Sequence, residues 1–133
     1  MKVFLAGATG AIGRLAVPVL LEAGYEVTAV ARSDDKARGL ADQGATPVRV
    51  SIFDHEALVP AFAGHDAVVN IATHIPPVRQ SGRLSAWAEN DRIRRDGSAT
   101  LADAAQAAGV GRYVQESITF TYRIGAMRGS TRT

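Results

Sequence analysis

The chain reads as an α/β protein built on a doubly wound parallel sheet, and three observations predict it. Short apolar runs alternate with segments of helical period about ten residues long, the pattern of successive βαβ units. The runs are apolar throughout rather than every second residue, as strands covered on both faces require. The first run ends in Gly7, Gly10 and Gly13, where a helical period begins at once.

Residues 2–6 form the first expected strand. Ile12, Leu15, Ala16, Val19 and Leu20 then recur at helical spacing, with Pro18 inside the helix and Gly24 ending it. Glu26–Ala31 is the second strand. Ser33 or Asp34 caps a helix reaching Asp42, with Gly44 beyond its end. Thr46–Ser51 is the third strand, His55–Ala63 a helix, and Asp66–Ala72 the fourth strand. A Pro-rich loop from Thr73 to about Arg83 leads into a long helical segment, Leu84–Ala108, with Gly97 near its middle. Arg112–Glu116 is the fifth strand.

With 133 residues the chain has the length of one domain with a substantial core. It contains no cysteine, which excludes disulfides, a thiolate nucleophile and cysteine-ligated metals. His55, His65 and His74 lie on separate turns without metal-ligand spacing, so no metal site is expected. No apolar stretch approaches the roughly 18 residues of a membrane helix, and the N-terminus does not read as a signal peptide, so a cytoplasmic location is expected. The formal charge of +2 arises in the last eleven residues, where Arg123, Arg128 and Arg132 meet no acid. Without those three arginines residues 1–122 hold 12 basic and 13 acidic groups, a net of −1, which gives nucleic-acid binding little support.

The glycines carry the functional signal. A strand, a glycine turn and a helix together present backbone N–H groups and a positive helix end to a pyrophosphate. Gly7 permits the tight exit from the strand, Gly10 lets phosphates approach the backbone, and Gly13 lets the helix lie close to the strand. Thr9 adds a hydroxyl donor. These residues predict dinucleotide binding.

Several further stretches stand beside that turn: Asp54 after the third strand, Asn-Ile-Ala after the fourth, Asn-Asp-Arg-Ile-Arg-Arg-Asp-Gly on the long helix, and Ala-Gly-Val-Gly-Arg-Tyr-Val-Gln-Glu-Ser at the fifth. Together they resemble the NAD(P)-dependent epimerase/dehydratase family, the extended and atypical short-chain dehydrogenases/reductases, with NmrA-like proteins as relatives. The resemblance covers residues 2 to about 122. It implies a Rossmann-type sheet of order 3-2-1-4-5, incomplete on its C-terminal side. It also implies that Gly7, Thr9, Gly10, Ala11, Ile12 and Gly13 hold the pyrophosphate. Asp54 would accept from the adenine amino group or cap the helix beginning near His55. Ile71, Ala72 and Thr73 would line the ribose and nicotinamide.

Cofactor choice turns on the end of the second strand, where NAD binders place an acid on the ribose 2′-OH. This chain has Ala31, Arg32 and Ser33 there. A guanidinium and a hydroxyl suit a 2′-phosphate, so NADP is expected over NAD, with Arg14 placed to help. The family's catalytic apparatus is a Ser or Thr after the fifth strand with a downstream Tyr-x-x-x-Lys. Ser117 matches the serine, Tyr122 follows with Ala126 in the lysine position, and no lysine occurs after Lys36. Arg94 stands where many relatives carry Asn. Arg92, Arg94 and Arg95 with Asp91 and Asp96 read as a charged helix face.

The expected function is therefore NAD(P) binding within an oxidoreductase or epimerase lineage, acting on a small-molecule substrate that the sequence does not reveal. The alternatives are an NmrA-like NADP sensor without turnover and a truncated product. Residues 123–133 are expected to lie outside the 1–122 domain, either as a frame-shifted stretch or as a basic tail. Nothing after residue 122 resembles a cover for the fifth strand, so marginal stability or self-association is expected.

Overall fold

The structure, a computed structural model, describes residues 1–74 and 78–116. It contains β1 (Lys2–Ala6), α1 (Gly13–Glu22), β2 (Glu26–Val30), α2 (Asp34–Gln43), β3 (Thr46–Val48), α3 (His55–Phe62) and β4 (Ala67–Asn70). After two short 3₁₀ turns come α4 (Ala88–Arg92), a π-helical turn (Ile93–Gly97), α5 (Ser98–Ala107) and β5 (Arg112–Gln115). The five strands are parallel, in the expected order β3-β2-β1-β4-β5. Strand order therefore reverses between β1 and β4, the place where open α/β sheets bind ligands at their carboxyl ends.

Alternation along β1 supplies both halves of the core. Leu5 packs with Val17 of α1, Ala29 of β2 and Leu40 of α2 on one face. Phe4 and Ala6 pack with Leu58 and Phe62 of α3, Val68 of β4 and Leu101 of α5 on the other. Phe4 and Phe62 meet edge to face at 4.6 Å. Burial of this kind, at roughly 25 cal/mol per Å² of apolar surface, is the main stabilising term.

Two expectations about elements are corrected. The residues Ile12, Leu15, Ala16, Val19 and Leu20, read at helical spacing, do not share one buried face: Ile12, Leu15 and Val19 are 51%, 73% and 63% exposed, while Ala16 and Leu20 are half-buried. Gly13 decides this, because the helix rests on the turn below through its missing Cβ, and Val17, Leu20 and Leu21 then follow inward on the same side. The long helical segment is present, running without a gap from Ala88 to Ala107, and it contains a π turn at Ile93–Gly97. There the backbone passes so close to the layer beneath that a Cβ on Gly97 would stand 2.8 Å from Ile52 Cδ1. Finally, Arg94 is not part of a solvated face, since it turns inward to Glu116 at 2.7 Å. Arg92 and Arg95 do stay at the surface, Arg92 over the Phe53 ring at 3.7 Å.

Candidate functional site

The three motif glycines divide their work between folding and the site. Gly7 has φ +94°, and a Cβ there would sit 2.5 Å from Ala72 N and Ile71 C. A Cβ on Gly13 would lie 2.0 Å from the Gly7 carbonyl oxygen. Both positions are thus closed to side chains by the protein's own backbone. Gly10 differs. Its φ is ordinary, and a Cβ would meet only the Gly7 oxygen, at 3.5 Å. The fold makes no demand for glycine at position 10, and the space beside it is open. The turn is tied by Gly10 N–H to the Gly7 carbonyl (3.1 Å) and by Arg14 N–H to the Gly10 carbonyl (3.0 Å). The start of α1 is tied down in the same way, with Leu15 N–H donating to the Ile12 carbonyl at 3.1 Å.

A cleft of about 190 Å³ opens over this turn, lined by Gly7, Thr9, Gly10, Arg32, Ala72 and Thr73 together with Val30, Lys36, Ile52 and His74. A second cavity of about 410 Å³ adjoins it over the ends of β2 and β3 and shares Val30, Arg32 and Ile52. Arg49, Phe53 and Glu89 also line this second cavity. The two together follow the carboxyl edge of the sheet from β4 to β3. Among the described residues Ala31 is buried at the end of β2 with no acid there, while Arg32 faces both cavities. The Ser33 hydroxyl caps α2 by accepting from Lys36 N–H at 3.2 Å, and its own proton remains to donate. Ala11 and Ile12 lie on the exposed side of the turn and do not line either cavity.

Asp54 Oδ1 accepts from Ala57 N–H at 3.2 Å and so caps α3, while the neighbouring Phe53 lines the larger cavity. Ile71 is half-buried at the β4 exit, where its N–H still pairs with the Ala6 carbonyl at 2.9 Å. That exit is held by two buried amides. Asn70 Oδ1 accepts from Ala72 N–H at 3.1 Å, and Asn90 Oδ1 accepts from His74 N–H at 3.0 Å. Asn70 Nδ2 also donates to Gln115 Oε1 at 2.9 Å, locking β4 to β5. Beside it the Tyr113 hydroxyl donates to Gln115 Oε1 at 2.8 Å. Burial pushes the Tyr113 phenol above its usual pKa, opposed by the Asn70 hydrogen bond, so it is a neutral structural group. Ser117, Tyr122 and the tail expected at 123–133 lie outside the described residues.

Lys36, Arg49 and Glu89 were not singled out from sequence as site residues. Arg49 and Glu89 reach the cavities from elements distant in the chain, whereas Lys36 stands only four residues past Arg32 and carried a local signal.

A family model described as NAD(P)H-binding matches residues 7–130. The chain belongs to this NAD(P)H-binding family. Members of known identity bear out the epimerase/dehydratase and short-chain dehydrogenase/reductase character. The chain is 35% identical over 122 residues to a 3-diazoavenalumate denitrifying reductase of Streptomyces sp, covering 90% of this chain and 38% of that protein. It is 33% identical over 118 residues to the photosystem II assembly factor Ycf39 of Synechocystis sp., covering 89% and 34%. Among solved structures, a UDP-glucose-4-epimerase from Stenotrophomonas maltophila with bound NAD superposes with TM-score 0.74 at 25% identity, over 90% of this chain and 38% of that one. The chain thus spans little more than a third of these relatives' length. As a member of this NAD(P)H-binding family it is an NAD(P)-binding protein of Rossmann type. Among the described residues no helix is long and apolar enough to cross a membrane.

Proposed function

We propose that the chain is the cofactor-binding part of a reductase or epimerase-type enzyme and that it takes NADP(H) in preference to NAD(H). The observation that carries this reading is the β2 exit, where buried Ala31 replaces the ribose-binding acid and Arg32 lines both cavities. In this reading the turn at residues 7–13 holds the pyrophosphate, through the open face of Gly10, the Thr9 hydroxyl and the N–H groups of the turn that its own backbone does not use. Arg32 and Ser33 take the 2′-phosphate, for which a forked guanidinium is suited. The Asp54 oxygen not used in the cap accepts from the adenine amino group, and Ile71, Ala72 and Thr73 line the nicotinamide end. The bound nicotinamide would supply hydride transfer to a small-molecule substrate, and Ser117, two positions after β5 in the sequence, is the serine that the family resemblance assigns to the chemistry. The open face of Gly10 supports the fit, because it is space that the fold itself leaves unused.

Titration of the purified chain with NADPH and NADH, followed by nicotinamide fluorescence, tests the reading. Tighter binding of NADPH is expected. Arg32→Ala should weaken NADPH about tenfold or more, the scale of a lost charge-assisted contact, and leave NADH unchanged. Equal affinities in the unaltered chain would overturn the preference.

A further inference from the structure

We infer that Arg49 is a specificity-determining residue that favours the 2′-phosphate by neutralising Asp34. This rests on the proposal that Arg32 receives that phosphate. The run after β2 is Arg32-Ser33-Asp34-Asp35-Lys36, so two carboxylates lie within three residues of the proposed phosphate ligand. Left alone, each would repel a dianion, and Asp34, two positions from Arg32, would repel it most. Neither is left alone. Asp35 pairs with Arg38 one turn along α2. Asp34 pairs with Arg49 of the segment after β3, Nη1 to Oδ1 at 2.6 Å.

The second pair is the informative one. Arg49 comes from the segment that follows the neighbouring strand β3, 15 residues after Asp34, and lines the same 410 Å³ cavity as Arg32. It therefore brings a positive charge to the cavity wall and cancels the nearest negative one. Among the described residues Arg32 and Lys36 take part in no ion pair, and both face the smaller cavity. The local balance thus favours a phosphate despite the two acids in the loop. The Asp34–Arg49 pair is exposed, 85% and 53% by side chain, so it contributes little to folding and its removal leaves a foldable chain.

The test measures NADPH and NADH dissociation constants for Arg49→Met, Asp34→Asn, the double variant and Arg32→Ala, at low salt and at about 0.5 M salt. Arg49→Met should weaken NADPH about three- to tenfold at low salt, with less effect at high salt, and change NADH less than about twofold. In the double variant, where no carboxylate remains to be neutralised, NADPH affinity should return to within about twofold of the unaltered chain. A double variant as weak as Arg49→Met alone would overturn the inference, because Arg49 would then touch the phosphate directly. So would an Arg49→Met variant with unchanged NADPH affinity while Arg32→Ala still loses it. If Arg32→Ala binds NADPH as tightly as the unaltered chain, the underlying NADP reading fails, and the inference fails with it.

Discussion

Arg94 on the long helical segment and Glu116 just past β5 form an ion pair of 2.7 Å, with 22% and 19% of their side chains exposed. Four residues earlier, Asn90 holds the backbone of His74 at the exit of β4. One helical segment thus secures the exits of both strands at the Ala72–His74 end of the smaller cleft. Among the described residues the buried Arg94 Nε has no partner, so the pair with Glu116 is the main compensation of the guanidinium for lost solvent. Arg94→Met strands a half-buried carboxylate and should lower stability by about 1–3 kcal/mol, below the figure for a fully buried pair. Arg94→Met with Glu116→Leu should lose less than the single change. Urea unfolding of the three proteins checks both statements, and a double variant weaker than the single one contradicts them.

Gly10 and Gly13 should respond oppositely to alanine. At Gly13 the new Cβ meets backbone at 2.0 Å, which no rotamer can relieve. Gly13→Ala should therefore destabilise the fold by about 3 kcal/mol, the upper range of overpacking. At Gly10 the Cβ has room, so Gly10→Ala should melt within a few degrees of the unaltered protein. It should nevertheless bind NADPH at least about tenfold more weakly, because the methyl group occupies the phosphate's space. Melting curves and titrations on the same samples separate the two glycines.

The tight turn at Gly7, the close packing at Gly13, the parallel strands and a cap for α2 at Ser33 or Asp34 were legible in the sequence because each follows from local backbone chemistry, whereas the strand order came with the family resemblance. Side-chain direction on α1 was not legible. Its apolar residues surround the helix, so periodicity offered two faces, and the contact at Gly13 chose between them. Strand ends also ran short, β3 stopping at Val48 and β4 at Asn70, where the backbone leaves the ladder to wall the cleft. Arg49 and Glu89 were invisible as site residues because only tertiary placement brings them beside Arg32. One unused signal did exist. Tyr113 and Gln115 alternate on β5 as residues on one face do, and Asn70 stands in register with Gln115.

His65 makes stability depend on pH. Its Nδ1 bonds the Phe62 carbonyl at 3.2 Å, which requires a proton there, and Nε2 then accepts from the Thr28 hydroxyl at 2.9 Å. The ring also packs against Phe4 at 5.5 Å. Burial lowers its pKa below 6.5, and Lys2 adds to this, outweighing the Phe62 and Ala63 carbonyls and Asp66, which act upward. A lowered histidine pKa means that the unfolded chain binds the proton more readily. The stabilising contribution is thus complete above pH 6.5 and is lost as pH falls toward the depressed folded value. The urea midpoint should fall between about pH 7.5 and 5.5, before most carboxylates titrate. His65→Gln should flatten that slope, and an unchanged slope in the variant would assign the effect elsewhere.

Asp54 is the residue at which the cap and the cofactor can be told apart. Its Oδ1 is committed to Ala57 N–H at the start of α3, which leaves the second oxygen for the adenine amino group. Asp54→Ala removes both contacts and should cost about 1 kcal/mol of stability, the usual value of a lost cap. Asp54→Ser restores a capping oxygen without the carboxylate, so stability should return. Cofactor affinity should not return with it. Both variants should bind NADPH and NADH weaker by a similar factor, on the order of threefold to tenfold, since adenine is common to the two. That symmetry contrasts with Arg32→Ala, which should act on NADPH alone. A serine variant with full stability and unchanged affinity for both cofactors would leave Asp54 as a helix cap and nothing more.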